Sequence, residues 1–111
     1  MNTIVILTAI GVLLALVVAC DGAALESSSA VATSEVAVRD NSFDARVIEV
    51  PAGTEVTWTW QGNRPHDVAG EGWGSDTQSE GTFRHTFEAP GTYDYRCTLH
   101  GGMTGRVIVT Q

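Results

Sequence analysis

Three residues near the C-terminal end of the sequence carry soft metal-binding groups at close spacing. Cys97, His100 and Met103 follow one another as C-x2-H-x2-M, and Met103 is the only methionine apart from Met1. A thiolate, an imidazole and a thioether are together the donors that copper prefers, with cysteine and histidine as strong ligands and methionine as a long, weak axial one. The pattern therefore predicts a copper site.

A second histidine is needed to complete such a site. The pair Pro65-His66, in the turn after a tryptophan-rich segment, supplies it. Two histidines, one cysteine and one methionine form the trigonal site with a weak axial ligand that is used for electron transfer. Gly101 and Gly102 carry no side chains, so the backbone can turn sharply enough to bring the donors of the loop together. The predicted metal ligands are His66, Cys97, His100 and Met103, and no catalytic residues are predicted.

Strands are expected to position these ligands. From Val36 onward, apolar and polar residues alternate with a period of two, as in Thr54–Trp60, where Val56, Trp58 and Trp60 share one face. Further strands are predicted at Thr82–Phe87, Thr92–Cys97 and Arg106–Thr110. About seven short strands separated by turns predict an all-β fold, a small antiparallel β-sandwich.

The charge balance narrows the possible partners. The chain has six arginines, no lysine and thirteen acidic residues, for a formal net charge of −7. A phosphate backbone would be repelled, and no basic patch offsets this, so the composition argues against nucleic-acid binding. The acidity favours docking to a basic protein partner instead, and acidity without lysine is equally consistent with adaptation to salt.

The N-terminal segment predicts targeting to a membrane. Residues 1–19 carry no charged side chain, and the apolar run Thr3–Ala19 has the length of a signal-peptide core. Val17–Cys20 resembles a bacterial lipobox, in which the cysteine is lipidated. We expect a signal peptide over 1–19, with an uncleaved N-terminal membrane anchor as the alternative because Met1-Asn2 is not basic. Both place the protein outside the cytoplasm, in the periplasm or on the outer face of the cell membrane.

The remainder of the chain divides into a tether and a domain. Residues 20–35 are predicted to be a lipidated cysteine followed by a flexible linker, and residues 36–111 to be the copper domain. Cys20 and Cys97 each have a separate role in this interpretation, so no disulfide is predicted.

Four longer stretches of the sequence carry a family resemblance: Val47–Trp58, Pro65–Val68, Phe87–Cys97 and Gly105–Val109. These stretches resemble the cupredoxin superfamily of blue copper proteins, in particular its halocyanin- and plastocyanin-like domains. The resemblance covers essentially all of residues 36–111 and implies a Greek-key sandwich. It also implies one type 1 copper ion, cycling between Cu(II) and Cu(I), on His66, Cys97, His100 and Met103. The ligand loop has the length found in amicyanin-like proteins, with Gly-Gly where a proline is common.

Two further expectations concern the surroundings of the ligands. Asp67 follows the first histidine where the family often has asparagine; if its carboxylate holds the Cys97 loop by hydrogen bonds, its charge should lower the reduction potential. The resemblance also implies that His100, with Pro65 and Leu99 near it, is the ligand closest to solvent and the exit for the electron.

These features predict a mononuclear type 1 copper electron-transfer protein. By analogy its partners are membrane-associated redox proteins, with cytochrome-type complexes as donor and acceptor, and we expect a monomer. The alternative is a copper-binding chaperone or storage module, although such sites tend to be exposed and rich in methionine or cysteine. A copper enzyme needs additional histidine ligands, commonly as H-x-H, whereas this chain has three histidines and no such pair.

The remaining aromatic and histidine residues are predicted to have structural roles. His85, between Phe83 and Phe87, is expected in the core or on a sheet edge, and Trp58 and Trp60 in the core. Trp73, in a glycine-rich segment, is a weaker candidate for an exposed docking surface.

Overall fold

Ten strands make up the described part of the chain. The computed structural model describes residues 29–111. The strands are β1 (Val31–Ala32), β2 (Glu35–Arg39), β3 (Ser42–Asp44), β4 (Val47–Pro51), β5 (Thr54–Trp60), β6 (Ala69–Gly70), β7 (Trp73–Gly74), β8 (Thr82–Phe87), β9 (Gly91–Arg96) and β10 (Thr104–Thr110). Seven of them have three or more residues, so the predicted all-β class is confirmed.

The predictions for the N-terminal segment concern residues before Ser29. The signal peptide or anchor expected over 1–19 and the lipidation expected at Cys20 lie outside the described residues. Within residues 29–111, no helix has the length and apolarity needed to span a membrane.

The strands form two sheets around one core. The first sheet has the order β1-β4-β10-β9-β6-β7 and the second the order β3-β2-β5-β8. Strand β5 shows why the sequence folds this way, since Val56, Trp58 and Trp60 are buried while the alternating threonines are partly exposed. Tyr95 of the opposite sheet meets the ring of Trp58 edge-on, with ring centroids 5.4 Å apart. Such aromatic pairs join the two sheets and stabilise the core by about 1 kcal/mol each beyond burial.

The strand pairing differs from the prediction in its direction. The sheets are mixed: β10 is antiparallel to β9 but parallel to β4, and β2 is parallel to β5. The cause is that consecutive strands such as β4 and β5 lie in different sheets. A connection that crosses between sheets can bring the chain back parallel to an earlier strand, which a hairpin cannot do.

The strands begin before Val36, the predicted start of the domain. Val31 and Ala32 pair with Ile48 and Glu49, and the backbone N–H of Thr57 donates to the carbonyl of Ser34. Residues 31–35, assigned to the linker by their composition, thus contribute to both sheets. These residues show no alternating pattern because β1 has only two residues, both exposed.

Candidate metal centre

Three of the predicted ligands lie on one tight loop between β9 and β10. Arg96 and Thr104 are paired at the ends of these strands. The N–H of Cys97 donates to the carbonyl of Met103 at 2.9 Å, and the N–H of Met103 donates to the carbonyl of His100 at 3.4 Å. These bonds close the loop onto itself, so the antiparallel pair β9–β10 fixes the directions in which the loop begins and ends.

The fourth predicted ligand reaches the same place from a different loop. His66 follows β5 and forms an isolated antiparallel bridge with Gln78, in which each N–H donates to the other's carbonyl at 3.0 Å. The indole N–H of Trp60 also donates to the carbonyl of His66, at 3.2 Å. The side chain of His66 is fully buried, and its backbone is therefore held from two sides.

The donor atoms of the two loops converge. Sγ of Cys97 lies 3.8 Å from Nδ1 of His66, and one donor atom from each of His66, Cys97 and His100 lies within 4.8 Å of the others. The imidazole rings of His66 and His100 have centroids 4.7 Å apart. Met103 is buried at the end of the loop. The sequence pattern thus brings together three donors that the structure groups as a possible metal site, with the methionine beside them.

Asp67 anchors the cysteine loop. Its carboxylate accepts hydrogen bonds from the N–H of Thr98 at 2.7 Å and from the Thr98 hydroxyl at 2.6 Å. Burial opposes ionisation of this carboxyl group, but the hydrogen bonds from Thr98 and Cys97 outweigh it and lower the pKa of Asp67. The expected contact between Asp67 and the Cys97 loop is present.

Asp40 contacts the candidate ligand His66 and gave no signal in the sequence. Its carboxylate lies 3.0 Å from Nε2 of His66. The hydrogen bond with His66 and those from the backbone N–H groups of Asn63 and Arg64 lower the pKa of Asp40 to about 2. The contact joins residues 26 positions apart, and no local motif marks it.

One face of the centre is open to solvent. Leu99 is 44% exposed, and Pro65, Gly101 and Gly102 are also exposed, whereas His100 is half-buried. The exposed residues on either side of His100 in the chain are therefore small or apolar.

Comparison with known proteins identifies the family. The cupredoxin-like domain family matches residues 8–109. The chain belongs to the cupredoxin family. Cupredoxins of this kind are blue copper proteins and bind one copper ion, and His66, Cys97, His100 and Met103 are positioned as a possible copper site.

Individual relatives agree with this family. The chain is 38% identical to amicyanin-alpha of Methylorubrum extorquens over 85 residues, 69% of this chain and 71% of that protein. It is 42% identical to halocyanin of Natronomonas pharaonis over 79 residues, 61% of this chain and 48% of halocyanin. Among solved structures, the reduced Cu(I) form of a mutant amicyanin superimposes with a TM-score of 0.65 at 27% identity, covering 77% of this chain and 89% of that one.

The residues of this cupredoxin suit copper on chemical grounds. Nε2 of His100 is buried without a hydrogen-bond partner among the described residues. A buried polar atom without a partner is costly, so an imidazole in this position fits a site where metal coordination satisfies the ring. The neighbouring sulfurs of Cys97 and Met103 are soft donors, which select copper over hard cations.

The other residues considered from the sequence lie in the core or pack against it. His85 lies on the edge strand β8 and stacks on Trp73, with ring centroids 5.0 Å apart and planes 14° from parallel. Trp58 and Trp60 are buried in the core, as predicted. Trp73 is half-buried and packs against the core, so its indole is largely committed to packing and less available as the exposed docking element that its glycine-rich context suggested.

Proposed function

We propose that this cupredoxin is a mononuclear type 1 copper electron carrier, with His66, Cys97, His100 and Met103 as the copper ligands. The observation that supports this most is the 3.8 Å approach of Cys97 Sγ to His66 Nδ1. A thiol and an imidazole nitrogen from two separate loops are held next to each other inside a folded sandwich. Copper in such a site supplies a one-electron couple between Cu(II) and Cu(I).

Backbone hydrogen bonds should hold the ligands in the same place in both oxidation states. The bridge between His66 and Gln78 and the Cys97–Met103 hydrogen bond are both made by backbone atoms. A rigid donor set requires little rearrangement when one electron is gained or lost. Burial of the Cys97 and Met103 side chains keeps water away from the sulfurs.

Exchange of copper or turnover of a substrate is disfavoured by the same burial. Cys97 and Met103 are 3% and 2% exposed, which gives a partner protein little access to the sulfurs. A chaperone would need such access to pass the metal on. The cavity beside the ligand loop has a volume of about 90 Å³, well below the several hundred Å³ of ordinary small-molecule sites. Both observations favour a carrier over a chaperone or an enzyme.

The surface around Leu99 is the proposed route for the electron. His100 is half-buried and its chain neighbours Leu99 and Gly101 are exposed, so a redox protein, such as a cytochrome-type donor or acceptor, can approach the loop that carries this ligand. Electron self-exchange between oxidised and reduced copies tests this surface without knowledge of the partner. Leu99→Glu should slow self-exchange by about tenfold or more through like-charge repulsion, while Glu88→Gln, on an exposed turn, should not slow it.

The proposed location is outside the cytoplasm, with the domain held at a membrane by a lipid on Cys20 or by an uncleaved anchor. The apolar run before Cys20 supports this proposal. Mass measurement of the protein from its membrane fraction distinguishes the two forms. The lipoprotein carries added acyl mass at Cys20 and has lost residues 1–19 by cleavage, whereas the uncleaved anchor keeps them. Recovery of the unmodified full chain in the soluble fraction would contradict both.

A visible absorption spectrum of the copper-loaded chain tests the central proposal. We expect an intense blue thiolate-to-copper band that bleaches with ascorbate and returns on oxidation. Cys97→Ser should abolish the band, whereas Cys20→Ser, which removes the other cysteine, should retain it. A parent protein that binds copper without an intense band would overturn the carrier assignment.

A further inference from the structure

Asp40 sits where a carboxylate can control the candidate ligand His66 from the side opposite the cysteine. It follows directly after β2, whose last residue paired with β5 is Val38, opposite Trp60 at the end of that strand. The parallel β2–β5 pair therefore places Asp40 beside the loop that leads from Trp60 to His66. This position is set by the sheet and not by the loop alone.

The carboxylate of Asp40 is surrounded by N–H groups of that loop. It accepts from the backbone N–H of Asn63, at 3.1 Å to its nearer oxygen, and from the N–H of Arg64 at 3.0 Å. Its Oδ1 also lies 3.0 Å from Nε2 of His66. Gly62 makes this approach possible, because a Cβ at position 62 would overlap the Asp40 carboxylate. The loop is thus shaped around this one side chain.

The contact fixes which nitrogen of His66 carries the proton. An ionised carboxylate has no proton to give, so Nε2 must be the donor, and in the neutral ring that binds a metal Nδ1 then carries the lone pair. Nδ1 is the atom that lies 3.8 Å from Cys97 Sγ. A carboxylate on the far nitrogen also increases the electron density that the ring can donate, and this stabilises the more highly charged metal ion.

We propose that Asp40 is a positioning residue that holds His66 in the Nε2–H tautomer, aims Nδ1 at the copper and biases the ion toward Cu(II). This inference rests on the proposed function for its effect on copper. Its effect on the histidine tautomer belongs to the metal-free protein and stands apart from that function.

Two variants and a matched control test the effect on copper. Asp40→Ala should weaken Cu(II) binding relative to Cu(I) by about tenfold, which raises the reduction potential by about 59 mV for a one-electron couple. Asp40→Asn, which retains an oxygen acceptor and so preserves the loop, should shift the potential in the same direction by less. Asp44→Asn removes the same charge from the same hairpin, at an exposed side chain paired with Arg39, and should leave the potential unchanged.

Nitrogen-15 NMR of the metal-free protein tests the tautomer. The parent should show His66 as a single Nε2–H tautomer, and Asp40→Ala should show a mixture, while Asp44→Asn matches the parent. A parent His66 protonated on Nδ1, or equal potentials in both Asp40 variants and the control, would overturn the inference. A parent without a blue band but with the expected tautomer would overturn the proposed function while leaving Asp40 as the residue that orients His66.

Discussion

Nδ1 of His66 and Sγ of Cys97 lie 3.8 Å apart although 31 positions separate the residues in the sequence. His66 is held by a backbone bridge to Gln78, and Cys97 by the end of β9 and its bond to Met103. The two donors therefore meet because two independently fixed loops lie at the same end of the sandwich. Both loops are held by backbone hydrogen bonds, so the donors should move little when one electron is gained or lost, which is the property expected of a fast one-electron centre.

Met103→Leu tests the role of the thioether. Leucine has a similar volume and should fill the buried position with little loss of stability. We expect copper to remain bound with an intense blue band, because the strong ligands are unchanged. The reduction potential should rise, since Cu(II) gains more than Cu(I) from an additional donor. Voltammetry of the copper protein measures this, and a potential equal to that of the parent would show that Met103 does not contact the metal.

Asp67→Ala tests the anchor of the cysteine loop. The substitution removes both hydrogen bonds to Thr98 and should lower the free energy of unfolding of the metal-free protein by about 2 kcal/mol. Urea denaturation measures this loss. Asp76→Ala, at an exposed aspartate whose hydrogen bond uses only its backbone carbonyl, serves as the control and should change stability by less than about 0.5 kcal/mol. Equal losses in the two variants would contradict the anchoring role.

Gly105→Ala tests the packing of β10 against Tyr95. A Cβ at Gly105 would overlap the Tyr95 ring, which is buried and packed edge-on against Trp58. Overpacking of this kind should lower the free energy of unfolding by about 2 kcal/mol. At Gly101 a Cβ would meet no atom within 4 Å, so Gly101→Ala is the matched control. Thermal denaturation of the two variants should differ clearly, and similar melting temperatures would disagree with this packing.

Alkaline pH should destabilise the fold through Tyr95. Burial raises the pKa of Tyr95 to about 12, above the 10.0 of an exposed phenol. The unfolded chain therefore loses this proton first, so the contribution to stability is complete below pH 10 and is lost as the pH rises to about 12. The loss amounts to about 2 kcal/mol at the upper end of this range. Thermal melts of the metal-free protein across these pH values measure it.

Two phenylalanine variants isolate the contribution of this hydroxyl. Tyr95→Phe should flatten the alkaline decline and cost little at neutral pH, because the hydroxyl has no hydrogen-bond partner among the described residues. Tyr93→Phe loses a hydrogen bond to the carbonyl of Ala89, so it should lower stability at neutral pH and keep the alkaline decline. An unchanged alkaline decline in Tyr95→Phe would contradict the assignment.

Much of the fold could be predicted because its longer strands bury one face. Strands β5 and β8 have the predicted bounds. In each strand, apolar residues such as Trp58 or Phe87 alternate with polar ones over six or seven positions. Strands β1, β6 and β7 have two residues each, too few to show a period. The parallel pairing of β4 with β10 was also missed, because alternation records which face is buried and not which strand lies alongside.

The residues of the candidate centre also divide into those that the sequence indicated and one that it did not. The C-x2-H-x2-M loop is local, so its spacing alone indicated Cys97, His100 and Met103. His66 was found because copper chemistry requires a second histidine and few were available. Asp40 was missed, since its carboxylate reaches His66 only through the pairing of β2 with β5. A polar residue just after a strand is otherwise typical of any turn.

The position of β10 between β4 and β9 also determines when the centre can form during biosynthesis. Both neighbours of β10 precede it in the chain, so neither can pair with it until residues 104–110 have been synthesised and are free to fold. The loop that ends at Met103 is closed by the pairing of β9 with β10 and so stays open until then. A nascent chain therefore presents an unpaired thiol at Cys97 until β10 has been made, and the thiol becomes enclosed only when that strand is inserted between its neighbours.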